Sequence, residues 1–426
     1  MKINFSSIKM MKWAKFLFPI NRSITGQGVR QTIKFIKNNI NSKFKNLKIK
    51  SNTKVYDWKI PNEWNISEAY IDEINGERIC DIKNSNLHVL GYSKNINKII
   101  SFHELKKNIY YIKNKPNTVP YLTSYYKKKW GFCLSYNNYK KMKKNKKYKV
   151  VINSKHSKGN LDYCELLIKG KSKKEILVMS YICHPSMANN ELSGPLIIMA
   201  LSKILKSSNY SVRLLLVPET IGAIAYIQKN YSRLKKNLLA GLNLSCVGDN
   251  GPFTLISSKE QNTYADKVAR RVLIKTKKLK VLSFLKRGSN ERQFGCQNLK
   301  FPFVTICRTR FEDFKEYHTS DDNLKIINEF NLKKTLKQIL LIIKEVQKNK
   351  IFEKNMKCEP FFTKYNLVRS TRGKYNNFET DLYNLSAYVD KNYDEYELSK
   401  LFGKSKMNIK KNLEILNKKK IIKEFN

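Results

Sequence analysis

The chain has 426 residues and carries 83 Lys+Arg against 34 Asp+Glu, a formal net charge of +49. Hydrophobic residues make up 41%. That content excludes a disordered basic tail, because so apolar a chain can offset the entropy of ordering. No window approaches the ~18–20 apolar residues of a membrane span.

A charge of this size points first to nucleic acid or an anionic membrane. The excess is mostly lysine, runs from end to end, and comes with abundant Asn, Ile and Tyr. That is the signature of an AT-rich coding bias acting on solvated surfaces. The opening, MKINFSSIKMMKWAKFLFPINRS, places a charge in or near every short apolar run and lacks the apolar core of a signal peptide. The eight cysteines are scattered without a CxxC pair. Together these predict a cytoplasmic, reduced protein with no membrane partner.

Residues 1–50 read as helix-rich, with Asn21-Arg22-Ser23 leading into the amphipathic GVRQTIKFIKNNI. Residues 54–165 change character. Tryptophans and tyrosines are interleaved with Pro and Asn, and KYKVVIN (147–153) alternates as a strand does, so this stretch is expected to be a β-rich module. From 166 to 350 apolar strands and amphipathic helices alternate. EILVMSYI (175–182), SVRLLLV (211–217), AGLNLSCVG (240–248) and FPFVTIC (301–307) are the strands. GPLIIMALSKILK (194–206), TIGAIAYIQKNY (220–231), ADKVARRVLIKTKK (265–278) and 324–347 are the helices. Such alternation predicts an α/β layer fold with a largely parallel sheet. Residues 351–379 read as a polar linker. Residues 380–426 suggest three short helices with a turn at Gly403-Lys404-Ser405, spaced as in a helix-turn-helix, plain or winged.

In an open α/β sheet, ligands bind beyond the carboxyl ends of the strands. After the first strand comes Cys183-His184-Pro185-Ser186 and then Asn190-Glu191-Leu192-Ser193-Gly194. After the second comes Glu219-Thr220, after the third Asp249, and after the fourth Glu316-Tyr317-His318-Thr319-Ser320-Asp321-Asp322. Two of only five histidines therefore converge with carboxylates on one sheet edge. Imidazoles with carboxylates suit Zn²⁺, and a free carboxylate nearby suits a general base on zinc-bound water. Each piece also has a plain structural role: a hydrogen-bonded histidine, a glutamate capping a helix, solvated loop aspartates. Only their joint pattern favours a metal site.

The order His…Asn-x-x-Ser-Gly…Glu…His-Thr-x-x-Asp resembles the co-catalytic zinc aminopeptidases of the M28 type. Longer stretches resemble a bacterial aminopeptidase-like family, the DUF4910/DUF2172 group. They include FLFPINRSITGQGVRQT (16–32), VYDWKIPNEWNISEAYI (55–71), PYLTSYYKKKWGFCLS (120–135), ICHPSMANNELSGP (182–195), PETIGAIAYI (218–227), RGSNERQFG (287–295) and EYHTSDDNL (316–324). The resemblance implies an M28-like α/β domain of mixed sheet flanked by helices, formed by 1–53 and 166–350. It also implies an inserted β-rich domain over 54–165 and a C-terminal winged helix-turn-helix over 380–426. It further implies a setting in surface-polysaccharide biosynthesis.

Carried over residue by residue, the resemblance makes His184 and His318 metal ligands and Glu219 the general base. It departs at four positions. Asn190 stands where the bridging aspartate would be, Thr220 at a glutamate ligand, Ser245 at an aspartate ligand, and Ser186 at the aspartate that orients the first histidine. An amide oxygen is a poorer zinc ligand than a carboxylate. The expectation is therefore one Zn²⁺, held by His184, His318 and a carboxylate from Asp249 or Glu191. Arg287, Asn290, Glu291 and Arg292 are expected on the substrate side, with Glu291 meeting an α-ammonium and Arg292 a carboxylate or phosphate. Asp322 is expected to accept a hydrogen bond around His318. The function implied is an aminopeptidase or amidase acting on a small amide or peptide-like substrate. The alternative is a non-catalytic ligand-binding or scaffold protein, or a DNA-binding regulator acting through 380–426.

Overall fold

The apolar runs expected as strands lie side by side. The computed structural model describes residues 5, 7–296, 298–369 and 374–425. In it Tyr210–Val217, Ser172–Tyr181, Leu238–Leu244 and Phe303–Cys307 pair in that order, all in parallel. Ile176 and Val178 of the central strand enter one core, while Leu177 and Met179 enter another. Side chains of period two in a sheet covered on both faces behave this way. Helices Met10–Leu17, Gln27–Phe35, Ser193–Ile204, Tyr264–Leu273 and Glu329–Lys348 cover the first face. Helix Ile221–Asn237 and a second sheet cover the other.

Antiparallel strands complete the main sheet. Asn160–Ile168 pairs with Tyr210–Val217, Lys45–Lys50 with Asn160–Ile168, and Thr254–Ile256 with Phe303–Cys307. Lys280–Leu282 then adds in parallel to Thr254–Ile256. The result is the mixed eight-stranded α/β sheet the resemblance implies. Lys45–Lys50, Thr254–Ile256 and Lys280–Leu282 were absent from the expected strands. All lie toward the edges of the sheet, and two are short while the third is lysine-rich, so their apolar pattern is weak.

The second sheet is antiparallel, in the order Arg78–Asp81, Glu63–Glu73, Lys147–Ser157, Ile96–Ser101. Its Trp64, Ile71, Val150 and Ile152 share one core with Leu177, Leu215 and helix Ile221–Asn237. The sheet thus packs on the main domain instead of closing around a core of its own. The boundary expected at 165/166 falls inside Asn160–Ile168, a strand of the main sheet. Composition stays aromatic and apolar across the place where the chain changes sheets, so it does not mark the crossing.

At the C-terminal end, Asn377–Tyr388, Glu395–Phe402 and Lys406–Lys418 are three helices packed through Leu382, Leu385, Leu398, Ile409 and Leu413. Gly403 ends the second helix at φ 61°, a left-handed conformation that glycine adopts without a Cβ penalty. The segment expected as a linker belongs to this unit. Phe352, Phe362 and Val368 enter its core, and Phe352–Lys354 pairs with Ile422–Glu424. Arg271 of helix Tyr264–Leu273 donates to the fully buried Asp394 at 2.8 Å. Asp394 in turn accepts from the N–H of Tyr396 and Glu397, capping the second helix. No helix among the described residues is long and apolar enough to cross a membrane.

Candidate active site

The four parallel strands present their carboxyl ends at one edge, and the residues after them build the site. Helix Ser193–Ile204 must come close to the strands there. A Cβ on Gly194 would fall 2.1 Å from Ser180 Oγ and 2.6 Å from the Leu244 carbonyl. Glycine in Asn190-Glu191-Leu192-Ser193-Gly194 is thus a packing requirement.

His184 follows Ser172–Tyr181 and is buried. Its Nδ1 lies 2.6 Å from Glu191 Oε2, and its Nε2 lies 3.7 Å from Glu219 Oε2. The two carboxylates therefore address opposite nitrogens of one ring. Burial opposes protonation of His184, but Cys183 and Glu191 beside it outweigh that and hold its pKa well above the ordinary histidine range. Behind Glu191 stands Arg22, fully buried. Its Nε donates to the His184 carbonyl at 3.0 Å and lies 3.7 Å from Glu191 Oε1.

His318 completes the pair. The two imidazole centroids are 5.3 Å apart. Tyr317 stacks on His318 at 3.9 Å, and Tyr121 from the loop after Ile109–Tyr110 sets its ring edge-on to both histidines, at 5.2 and 5.1 Å. The Tyr121 N–H donates to the His318 carbonyl, the Ser320 N–H to the Val119 carbonyl, and the Thr118 hydroxyl to Asp321, each at 2.8 Å. His318 Nε2 is buried and has no hydrogen-bond partner among the described residues. Burial and the neighbouring His184 push the His318 pKa down to about 3.

Glu219 is half-buried, and Ser289 Oγ donates to its Oε1 at 2.6 Å. Burial raises its pKa, partly offset by His184, Ser289 and Arg292. Thr220, next along, donates its N–H to Asn290 Oδ1 at 2.9 Å and accepts from Arg292 at 2.6 Å. Ser186, Thr220, Cys246 and His318 all take left-handed φ, 46°, 60°, 52° and 52°. Each such non-glycine residue costs roughly 1–3 kcal/mol, and strain of this kind concentrates at functional sites.

Several expected roles fall to other atoms. Asp249 does not face the histidines. It accepts from Asn189 Nδ2, the Gly251 N–H and the Thr309 N–H and hydroxyl, tying its loop to the segments of Asn189 and Thr309. Glu191 supports Nδ1 of His184 from behind instead of facing Nε2. Asn190 Oδ1 accepts from Cys246 Sγ at 4.0 Å. Ser186 donates to the Phe18 carbonyl and accepts from Asn86, so it does not orient His184. Asp322 binds the N–H of Asn189 and Asn190, capping the turn Ala188–Leu192, and not His318. Burial pushes its pKa up to about 7 against those two bonds. Glu291 is fully buried and saturated by Gly288, Ser289, Thr305 and Asn243, so it is not free to meet an ammonium. Asn290 is buried beneath Thr220, and Arg287 lies over the Phe284 ring. Arg292 alone of that segment keeps an exposed charged head beside Glu219. Arg22, Tyr121 and Ser289 were not expected at the site. Single residues in loops carry no spacing, and only contact across the fold brings them here.

Cys183, His184 and Glu191 offer ligand atoms within 4.8 Å of one another, but they cluster on Nδ1 and are engaged there. On the other side lie His184 Nε2, 3.7 Å from Glu219 Oε2, and the unpartnered His318 Nε2, nitrogen donors of the kind zinc takes.

The fold is similar to those of solved zinc aminopeptidases. A zinc aminopeptidase of Bacillus subtilis superposes with a TM-score of 0.57 at 12% identity, covering 80% of this chain and 95% of that one. An M28 peptidase precursor of Shewanella amazonensis gives 0.52 at 11%, covering 80% and 93%. A Clostridium acetobutylicum crystal structure described as a "putative peptidase" gives 0.79 at 36%, covering 97% and 96%. A curated protein of the same organism, named for polysaccharide biosynthesis with an aminopeptidase-like domain, is 39% identical over 361 residues, 84% of this chain and 82% of its own. The family described as "Domain of unknown function (DUF4910)" matches residues 11–349, and the chain belongs to it.

Proposed function

We propose that the protein is a metal-dependent hydrolase of an amide bond, with one divalent ion, zinc by its donor set, at His184 Nε2 and His318 Nε2. The observation that carries this reading is the buried, unpartnered Nε2 of His318 beside a second histidine whose Nε2 faces a carboxylate. A bound zinc would supply Lewis acidity to the scissile carbonyl and lower the pKa of water.

The chain's own groups have distinct tasks. Glu191 accepts from Nδ1–H of His184, so that once the Nε2 proton leaves its lone pair is aimed outward for a ligand. Ser289 holds Oε1 of Glu219, so Oε2 is the atom that takes a proton from water and returns it to the leaving amine. Tyr121 and Tyr317 cover the imidazoles and limit water around them. The relative named for polysaccharide biosynthesis supports a substrate from that chemistry.

A DNA-binding role for 380–426 has less support. Lys404, Lys406 and Lys410 lie within ion-pair distance of Asp381, Glu395 and Glu414, which leaves fewer lysines for phosphates.

The test is metal analysis of the purified chain, followed by turnover of a panel of aminoacyl and N-acyl amides. Glu219→Gln should cost about 10²–10⁴-fold in rate while metal content is kept. A protein without metal affinity and without Glu219-dependent turnover would sink the reading and leave a non-catalytic ligand-binding role.

A further inference from the structure

We infer that Arg292, tethered by Thr220, anchors an oxyanionic group, carboxylate or phosphate, on the molecule that occupies this site. The inference deepens the hydrolase reading by naming a substrate class.

The charges around the site are unevenly aimed. Glu191 is turned to Nδ1 of His184, Glu291 is saturated inside the fold, Asp249 is bound to Asn189 and Thr309, and Asp322 caps a turn. Among the described residues near the histidine pair, Glu219 is the carboxylate that faces it, and one of its oxygens is already taken by Ser289. Beside that carboxylate stands the exposed Arg292 guanidinium.

Arg292 is also held in place. Its Nη2 donates to Thr220 Oγ1 at 2.6 Å. Thr220 is itself pinned by Asn290 and locked at φ 60°. A guanidinium has five N–H donors in a planar fork. One goes to Thr220, and no ion pair within the described residues engages the others. A guanidinium fixed at one corner with its other donors free is suited to bidentate capture of a carboxylate or phosphate. Arg287, five residues earlier, reaches only Phe284, donating to its carbonyl at 3.5 Å and lying over its ring.

Calorimetric titration of the full chain tests this with three probes: N-acetylglycine, inorganic phosphate and the neutral N-acetylglycinamide. The wild type should bind at least one anionic probe tenfold or more tighter than the neutral one, and the stronger of the two names the oxyanion. Arg292→Gln should abolish that preference, Arg292→Lys should keep part of it, and Thr220→Val should weaken it several-fold. Arg270→Gln, at an exposed arginine on helix Tyr264–Leu273, controls for the high overall charge and should keep the preference. Equal binding of all probes, no binding of any, or a preference that survives Arg292→Gln overturns the inference. So does a loss shared with Arg270→Gln. Anion binding without turnover would sink the hydrolase reading alone, and turnover without anion preference would sink the Arg292 anchor alone.

Discussion

The Glu191 carboxylate reaches Nδ1 of His184 at 2.6 Å, with the Arg22 guanidinium behind it. The turn Ala188–Leu192 brings Glu191 back under the end of the strand that carries His184. A carboxylate in this position sets the tautomer and the aim of an imidazole, and raises its basicity as a ligand.

Removing that support should weaken metal binding without removing a ligand. Glu191→Gln is expected to lower zinc or cobalt affinity about 10–100-fold. Competitive titration with a chromogenic chelator measures it. An affinity within twofold of wild type would show that the Nδ1 contact does not orient the ring.

Metal affinity should also fall on acidification. The proton favoured on His184 must leave before Nε2 can ligate, so binding releases a proton. Below the His184 pKa each unit of pH should therefore cost up to about tenfold in affinity. A pH-independent constant between about pH 6 and 8 would count against ligation at His184.

Asp322 gives stability a pH dependence of known sign. Its folded value of about 7 lies above 3.8, so between those values the folded chain keeps a proton that the unfolded chain has released. The contribution is complete below about 3.8 and is lost as pH rises through 7. Asp322→Asn cannot ionise and removes that loss. From about pH 5 to pH 8 it should gain on the order of 2 kcal/mol relative to wild type. Urea denaturation at the two pH values decides it, and a constant difference would refute it.

Tyr121 ties the loop of the second sheet to the histidine pair. Tyr121→Ala empties a buried aromatic position and should destabilise the fold by about 3–5 kcal/mol. A loss below about 1 kcal/mol would show that the loop does not pack on the imidazoles.

The C-terminal unit is held by Arg271 and Asp394. Arg271→Leu leaves a buried aspartate without its cation, which costs about 3–5 kcal/mol. The unit should then unfold or detach at lower urea than the rest. Coincident transitions, read by limited proteolysis and circular dichroism, would contradict that expectation.

Much of the fold was legible in the residues. Runs such as 175–182 and 211–217 are long and apolar, each with one charge, Glu175 and Arg213, which pair with each other, so length marks them as covered strands. Lys45–Lys50 and Lys280–Leu282 lacked that signal because edge strands need little burial. The second sheet's strands were legible as β-rich. The core they share with helix Ile221–Asn237 was not, because a shared core leaves no mark at a boundary.

The sequence by itself determined that two histidines and Glu219 would meet. Residues after parallel strands must emerge at one edge, and the order of strands and helices is written in the apolar pattern. Only the tertiary structure decided which carboxylate serves which atom. Asp249, Glu191, Glu291 and Asp322 are equally acidic as residues, yet each is committed by hydrogen bonds to groups 2 to 133 positions away. Spacing cannot encode such partners, because a side chain's direction is set by what packs around it and not by its place in the chain.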